Sequence, residues 1–322
     1  MTTLIYLINL SPIILGFIWF LATIYFSYKI LKMKKDKVNT NEYINYPPNN
    51  EYSYVIRCLY SKKIDSVAFV ATIFELLLKK SISLVRYNKN EYAFIDNDLN
   101  EVLNKSEEQL KNILFKKIGS EKKLSINFFK TYSRKNSGYF YSIYKEWQDS
   151  LKIEVLTKKY FERVKPLIDK TLFYFSFSFA IALLNIIINK NYLIFVIIFS
   201  ITSILIIKVN NYLKIDDDLK NQYIEWIKFK NYINSCNNDL IDLDTITLEK
   251  YCLYAYIFDE KENFKKIINK KYYKDKESIE NSVLLSIVNL GIFDNIEKEI
   301  RKSIKIAKIN YTYFFARNKG RG

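Results

Sequence analysis

Histidine is absent from all 322 residues. That removes the usual general base, the usual activator of a nucleophile and the commonest zinc ligand. Cysteine is scarce as well. Cys58, Cys236 and Cys252 stand far apart with no CxxC pair, so reduced core residues are expected in place of a metal site or disulfide framework. Glycine occurs six times, too few for phosphate-cradling loops, and there is no GxGxxG, P-loop, GxSxG or HExxH. Tyrosine, lysine and carboxylates are present, but no pair of them stands at a telling catalytic spacing. These absences argue against an enzyme, and no cofactor or metal is expected.

What the chain does have is three uncharged hydrophobic runs, Leu4–Tyr28, Thr171–Asn189 and Tyr192–Ile207. About 20 apolar residues at roughly 1.5 Å each cross a hydrocarbon core of about 30 Å. The first run holds Pro12 and Gly16, which membrane helices tolerate. The other two are short, but Lys170, Lys190 and Lys208 flank them, and lysine stems reach the interface. The basic cluster Lys29-Ile-Leu-Lys32-Met-Lys34-Lys35-Asp36-Lys37 follows the first run and nothing basic precedes it, so the N-terminus is expected outside. The expected organisation is a transmembrane helix at 1–28, a basic juxtamembrane linker at 29–49 and a cytoplasmic domain at 50–165. Transmembrane helices at 170–189 and 192–209 follow, then a cytoplasmic helical region at 211–314 and a disordered tail at 315–322. The expected location is therefore the inner cell membrane, multi-pass, with most of the chain in the cytoplasm.

The net charge is +16, from 50 Lys and Arg against 34 Asp and Glu. Residues 29–170 hold 28 basic and 17 acidic residues, so +11 lies in that stretch. Anionic lipid headgroups attract such a surface by about 1 kcal/mol per basic residue near the membrane. Lys32, Lys34, Lys35 and Lys37 are the candidate membrane-surface contacts. Nucleic acid is the competing polyanion. Abundant Lys, Asn, Ile and Tyr with scarce Gly, Pro and Met is also what an AT-rich coding sequence produces.

In the first block, Pro47-Pro48 with Asn49-Asn50 is a stiff, non-helical break. A short helix is expected from about Tyr52 to Tyr60. Asp65 is a plausible N-cap for a second helix, with Val67, Val70, Ala71, Phe74, Leu77 and Leu78 at helical spacing. Two strands, 81–86 and 91–95, follow as a hairpin. Ser106-Glu-Glu-Gln109 matches a capping box ahead of Leu110, Ile113, Leu114 and Ile118. Helix, helix, hairpin, helix is close to a winged-helix unit. The helix before the hairpin would turn Ser66, Thr72, Glu75 and Lys79 outward, with no Arg, Asn or Gln to read bases and two carboxylates to repel phosphate. Nucleic acid is therefore not expected as a partner, and docking of a protein is. A later helix with Tyr139, Tyr141, Tyr144 and Trp147 reads as core more than as a stacking platform for bases.

In the second block, Asp216-Asp217-Asp218 complements the dipole of a helix bearing Tyr223, Trp226, Ile227 and Tyr232. Further helices are expected at 247–258 and about 278–306, making a small bundle.

The order of these parts resembles the C-terminal portion of the YciQ-like predicted membrane proteins. That family has Pro-Pro, a short helix, and a helix of the form (K/R)-(V/I)-D…A-T-L-L-D-L-A; here stand Pro47, Pro48, Lys63-Ile64-Asp65 and Ala71-Thr72…Leu77. After a two-span hairpin come W-x-x-F and Y-L-x-Y-A helices, matched by Trp226, Phe229, Tyr251, Tyr254 and Ala255. The family's extracytoplasmic β-rich domain and glycine-rich tail have no counterpart here beyond Gly320-Arg-Gly322, and Ser81 replaces a customary glycine. The resemblance implies a structural role for the matched residues and carries no catalytic ones.

The expected fold is an integral membrane, mainly α protein. It has three transmembrane helices, a cytoplasmic winged-helix-like α+β domain and a C-terminal helical bundle. The expected function is a non-enzymatic docking or scaffold module with membrane lipids and a cytoplasmic protein as partners. A tethered nucleic-acid-binding regulator and an accessory subunit of a transporter or channel are the alternatives. Oligomeric state is not legible.

Overall fold

Ser66–Leu78 reads SVAFVATIFELLL, apolar on nearly every side, and such a helix is stable only when buried all round. The computed structural model describes residue 25 and residues 41–88, 91–98, 102–120, 122–158, 161–162, 214–215, 219–235 and 238–319. Ser66–Leu78 (α2) lies in a unit formed by residues 40–161 and 215–322, with Val67 to Phe74, Leu76 and Leu77 all buried. Asp65 caps it, accepting from the N–H groups of Val67 and Ala68 at 3.1 Å each.

Ser53–Ser61 (α1) precedes it. After it, Ile82–Asn88 (β1) and Glu91–Asp96 (β2) form an antiparallel hairpin with Leu84 opposite Phe94. Lys105–Asn112 (α3) continues into a π-helical segment, Ile113–Ile118. The chain returns as Lys123–Ser125 (β3), antiparallel to β2, in a sheet of order β1-β2-β3. A Cβ on Gly119 would meet the carbonyl oxygens of Lys123 at 2.6 Å and Leu114 at 2.7 Å, so the tight return needs glycine. Ile126–Lys135 (α4) and Ser137–Thr157 (α5) complete the first half. Phe161–Glu162 (β4) pairs with Lys214–Ile215 (β5). The second half is helical: Lys220–Asn234 (α6), Thr245–Ile257 (α7), Lys261–Lys274 (α8), Lys276–Asn281 (α9), Val283–Asn289 (α10) and Ile292–Lys319 (α11).

The halves interlock around α2, which packs on α1, α3 and β1 from the first and on α7, α10 and α11 from the second. Phe74 stacks on Phe293 at 4.2 Å and meets Tyr256 edge-on at 6.4 Å. The blocks read separately in the sequence are one body.

This corrects the expected fold class. The described structure is mainly helical with a small three-stranded sheet, and no helix among the described residues is long and apolar enough to cross a membrane. The two longest, α5 and α11, are studded with charge on one side, so they are surface helices with one buried stripe. Apart from Tyr25, the runs at 4–28, 171–189 and 192–207 lie outside the described residues. The winged-helix-like reading is corrected too. Thr72, expected outward, is 0% exposed and donates to the Ala68 carbonyl, and Glu75 accepts from Ser53. The helix that would read DNA is covered by α1, α7, α10 and α11.

Other expectations shift in detail. The capping residue of α3 is Asn104, two positions before Ser106, with Glu107 closing the box. The helix expected over 278–306 breaks twice. Ser282 caps α10 while Glu249 accepts from Ser282 Oγ and the Leu284 N–H, and Gly291 takes φ 69° before α11. Helix α11 runs to Lys319, into the segment expected to be disordered.

Two substitutions test this packing. Trp226 is 1% exposed, so Trp226→Ala should cost about 3–5 kcal/mol in denaturant unfolding of the detergent-solubilised protein. Arg57→Met leaves Asp65 facing its protein surroundings without a countercharge and should cost about 3 kcal/mol.

Candidate functional site

The residues that resemble family motifs converge on the scaffold. Trp226, Phe229, Tyr251 and Tyr254 form one aromatic cluster, with Trp226–Tyr254 at 5.2 Å and Phe229–Tyr251 at 5.0 Å. The two tyrosines also hold the chain that contains Pro47 and Pro48. Tyr251 Oη donates to the Asn45 carbonyl at 2.9 Å, and Tyr254 Oη to the Glu51 carbonyl at 2.8 Å. A bent, non-helical strap held through its carbonyls suits proline, which has no N–H to satisfy. Ala71, Thr72, Leu77 and Ala255 are buried in the core. Asp65 pairs with Arg57 at 2.9 Å. Lys32, Lys34, Lys35 and Lys37 lie outside the described residues, as does Cys236. Cys58 and Cys252 are buried free thiols whose pKa burial pushes up, so neither is a reactive thiolate.

A polar seam joins α1, α2, α3 and α5. Glu75 Oε1 accepts from Ser53 N at 2.8 Å and Ser53 Oγ at 2.7 Å. Glu107, 0% exposed, takes Lys79 Nζ at 2.7 Å and the Asn104 N–H at 3.1 Å on one oxygen; the other has no hydrogen-bond partner among the described residues. Ser106 Oγ donates to Glu154 at 2.6 Å. Burial raises the carboxyls of Glu75 and Glu154 above their ordinary value. The seam's roles are capping and cross-linking of helices.

A cleft of about 840 Å³ lies between the loop leading into α2, one side of α5, the start of α8 and the long face of α11. Seven cations line it: Lys63, Lys261, Lys298, Arg301, Lys302, Lys305 and Lys308. Three carboxylates form its acidic part, and each is already matched. Asp65 faces Arg57; Asp294 faces Lys261 at 3.3 Å and also Lys265; Glu297 faces Lys261 at 2.5 Å and Arg301 at 2.6 Å. Burial alone would raise the Asp294 carboxyl, but the two lysines outweigh it and hold it below the usual carboxylate range. Lys63, Lys298, Lys302, Lys305 and Lys308 are exposed and have no ion-pair partner among the described residues.

Tyr141, Tyr144 and Gln148 form the wall from α5. Gln148 Nε2 donates to the Ile64 carbonyl at 2.7 Å, fixing the lip near Lys63. Burial raises the phenols of Tyr141 and Tyr144, so neither serves as a base near neutral pH. The chemistry available in this cleft is recognition of negative charge. Sequence reading passed it over because the residues of α11 were taken as part of one helix over about 278–306 in a small bundle. The signal was present: lysines at 298, 302, 305 and 308 recur every three or four residues along one helix face.

The part of the fold from the strap to α8 has known relatives. The family described as "Predicted membrane protein (DUF2207) C-terminal domain" matches residues 41–267, and the chain belongs to it. The kinship with the C-terminal portion of YciQ-like membrane proteins, read from the order of segments, is thereby shown. The family's description carries a membrane location and no activity. No curated protein and no solved structure matches the chain. The cationic face of α11 lies beyond the matched residues.

Glu75 gives the seam a pH signature. Its folded pKa lies above the ordinary 4.5, so its contribution to stability is full below 4.5 and is lost as pH rises through the raised value. Glu75→Gln keeps an acceptor for both Ser53 bonds. The variant should therefore gain on the parent as pH rises from about 4 to 8 in thermal unfolding scans.

Proposed function

We propose that this member of the predicted membrane protein family works without catalysis, as a docking module at the cytoplasmic face of a membrane. The observation that carries the reading is the open cleft, whose five exposed lysines have no ion-pair partner among the described residues. A lining with matched carboxylates and unmatched cations suits a binding surface better than a reaction site, since burial raises its two phenols, Tyr141 and Tyr144, away from use as bases near pH 7. The interlocked body behind it, with α2 packed by helices from both halves, suits a platform for a partner. Lipid headgroups remain the partner of the basic segment at Lys32–Lys37 in this reading.

A photo-reactive residue placed at Lys302 or Lys305 and activated in cells tests it. A discrete protein adduct is the expected product. Adducts to nucleic acid alone, or to lipid alone, would overturn the docking role.

A further inference from the structure

The unmatched charge in the cleft is ordered. Lys298, Lys302, Lys305 and Lys308 follow one ridge of α11 over ten residues, about 15 Å at 1.5 Å per residue. Neighbours on the ridge are about 4.5–6 Å apart along the axis, inside the Debye length of about 8 Å at physiological salt, so their fields overlap. Lys63 faces the same space from the opposite lip. Beside the lysines run apolar surfaces: Ile64, Ile304 and the edges of Tyr141 and Tyr144.

Resting on the docking reading, we propose that this cleft takes an acidic segment of a protein partner in extended conformation. Its Asp or Glu side chains would lie along the α11 ridge, alternating with apolar side chains against the tyrosine wall. An extended chain rises about 3.3 Å per residue and sends alternate side chains to opposite sides. Five residues thus cover the ridge, and carboxylates two apart match lysines one helical turn apart. A flat bilayer surface does not enter a concave cleft. A nucleic acid strand needs open ring faces to stack its bases, and these rings are taken: Tyr141 packs on Tyr311 at 4.9 Å, and Tyr144 on Phe69 at 5.5 Å and Trp147 at 5.9 Å. Lysines, as flexible point charges, also suit scattered carboxylates better than the forked recognition that arginine gives phosphate.

The test uses the full-length protein in neutral detergent and a fluorescent peptide of alternating Glu and Leu. Saturable binding is expected, weakening with added salt and absent for a Gln-for-Glu peptide. Changing Lys298, Lys302, Lys305 and Lys308 together to Gln should weaken it by about tenfold or more while the melting temperature stays at the parental value, because all four are exposed and unpaired. Equal binding by the variant would overturn the proposal. So would tighter binding of a single-stranded oligonucleotide or of anionic vesicles through the same lysines. If the peptide fails to bind but Lys302 cross-links to a protein in cells, docking stands and the acidic segment falls. If neither occurs, both fall.

Discussion

The fold depends on one buried guanidinium. Arg57 reaches Asp65 at 2.9 Å, the Ile257 carbonyl at 2.6 Å and Asp259 at 3.0 Å. It thus joins the middle of α1, the cap of α2 and the last turn of α7, with α1 and α7 200 residues apart in the chain. A buried charge is tolerated only when its donors are matched, and here two carboxylates and a carbonyl supply the match. Hydrophobic contact alone would let α1 and α7 slide past each other, whereas the planar fork of arginine fixes their register. The aromatic cluster around Trp226 and the strap at Asn45–Glu51 are then built outward from that fixed geometry.

Local features were the legible ones. The Asp65 cap, the hairpin and most of the aromatic stripe of α5 follow from short-range periodicity and turn chemistry: Tyr141, Tyr144 and Trp147 are core, whereas Tyr139, read with them, is 52% exposed. What stayed hidden depended on distant partners. The break at Ser282 needs Glu249, over thirty residues away, to satisfy the start of α10. The strand Lys123–Ser125 is too short to announce itself and exists because β2 offers it an edge. The burial of Thr72 could not be read either, because helices from the far end of the chain supply the cover.

The same limit explains the cleft. In sequence, the lysines of α11 look like any solvated helix face, and only tertiary structure shows which acids have been drawn inward. Glu297 and Asp294 neutralise Lys261, and Glu299 pairs with Lys130 of α4 at 2.9 Å. With the carboxylates engaged in holding helices together, the cations left behind share one concave surface. Family membership accounts for the scaffold up to α8, and α11, beyond the match, supplies the charge.

Because α2 is enclosed by helices from both ends of the chain, the protein has no half that can finish its core alone. During synthesis α1 and α2 emerge about 200 residues before the α7 turn that receives Arg57. At roughly 5–20 residues per second, that leaves an apolar helix uncovered for about 10–40 seconds. Such a helix must meanwhile rest against something apolar, a chaperone or a lipid surface. The order of assembly is thereby written into the topology, with α11, made after α7, closing over α2.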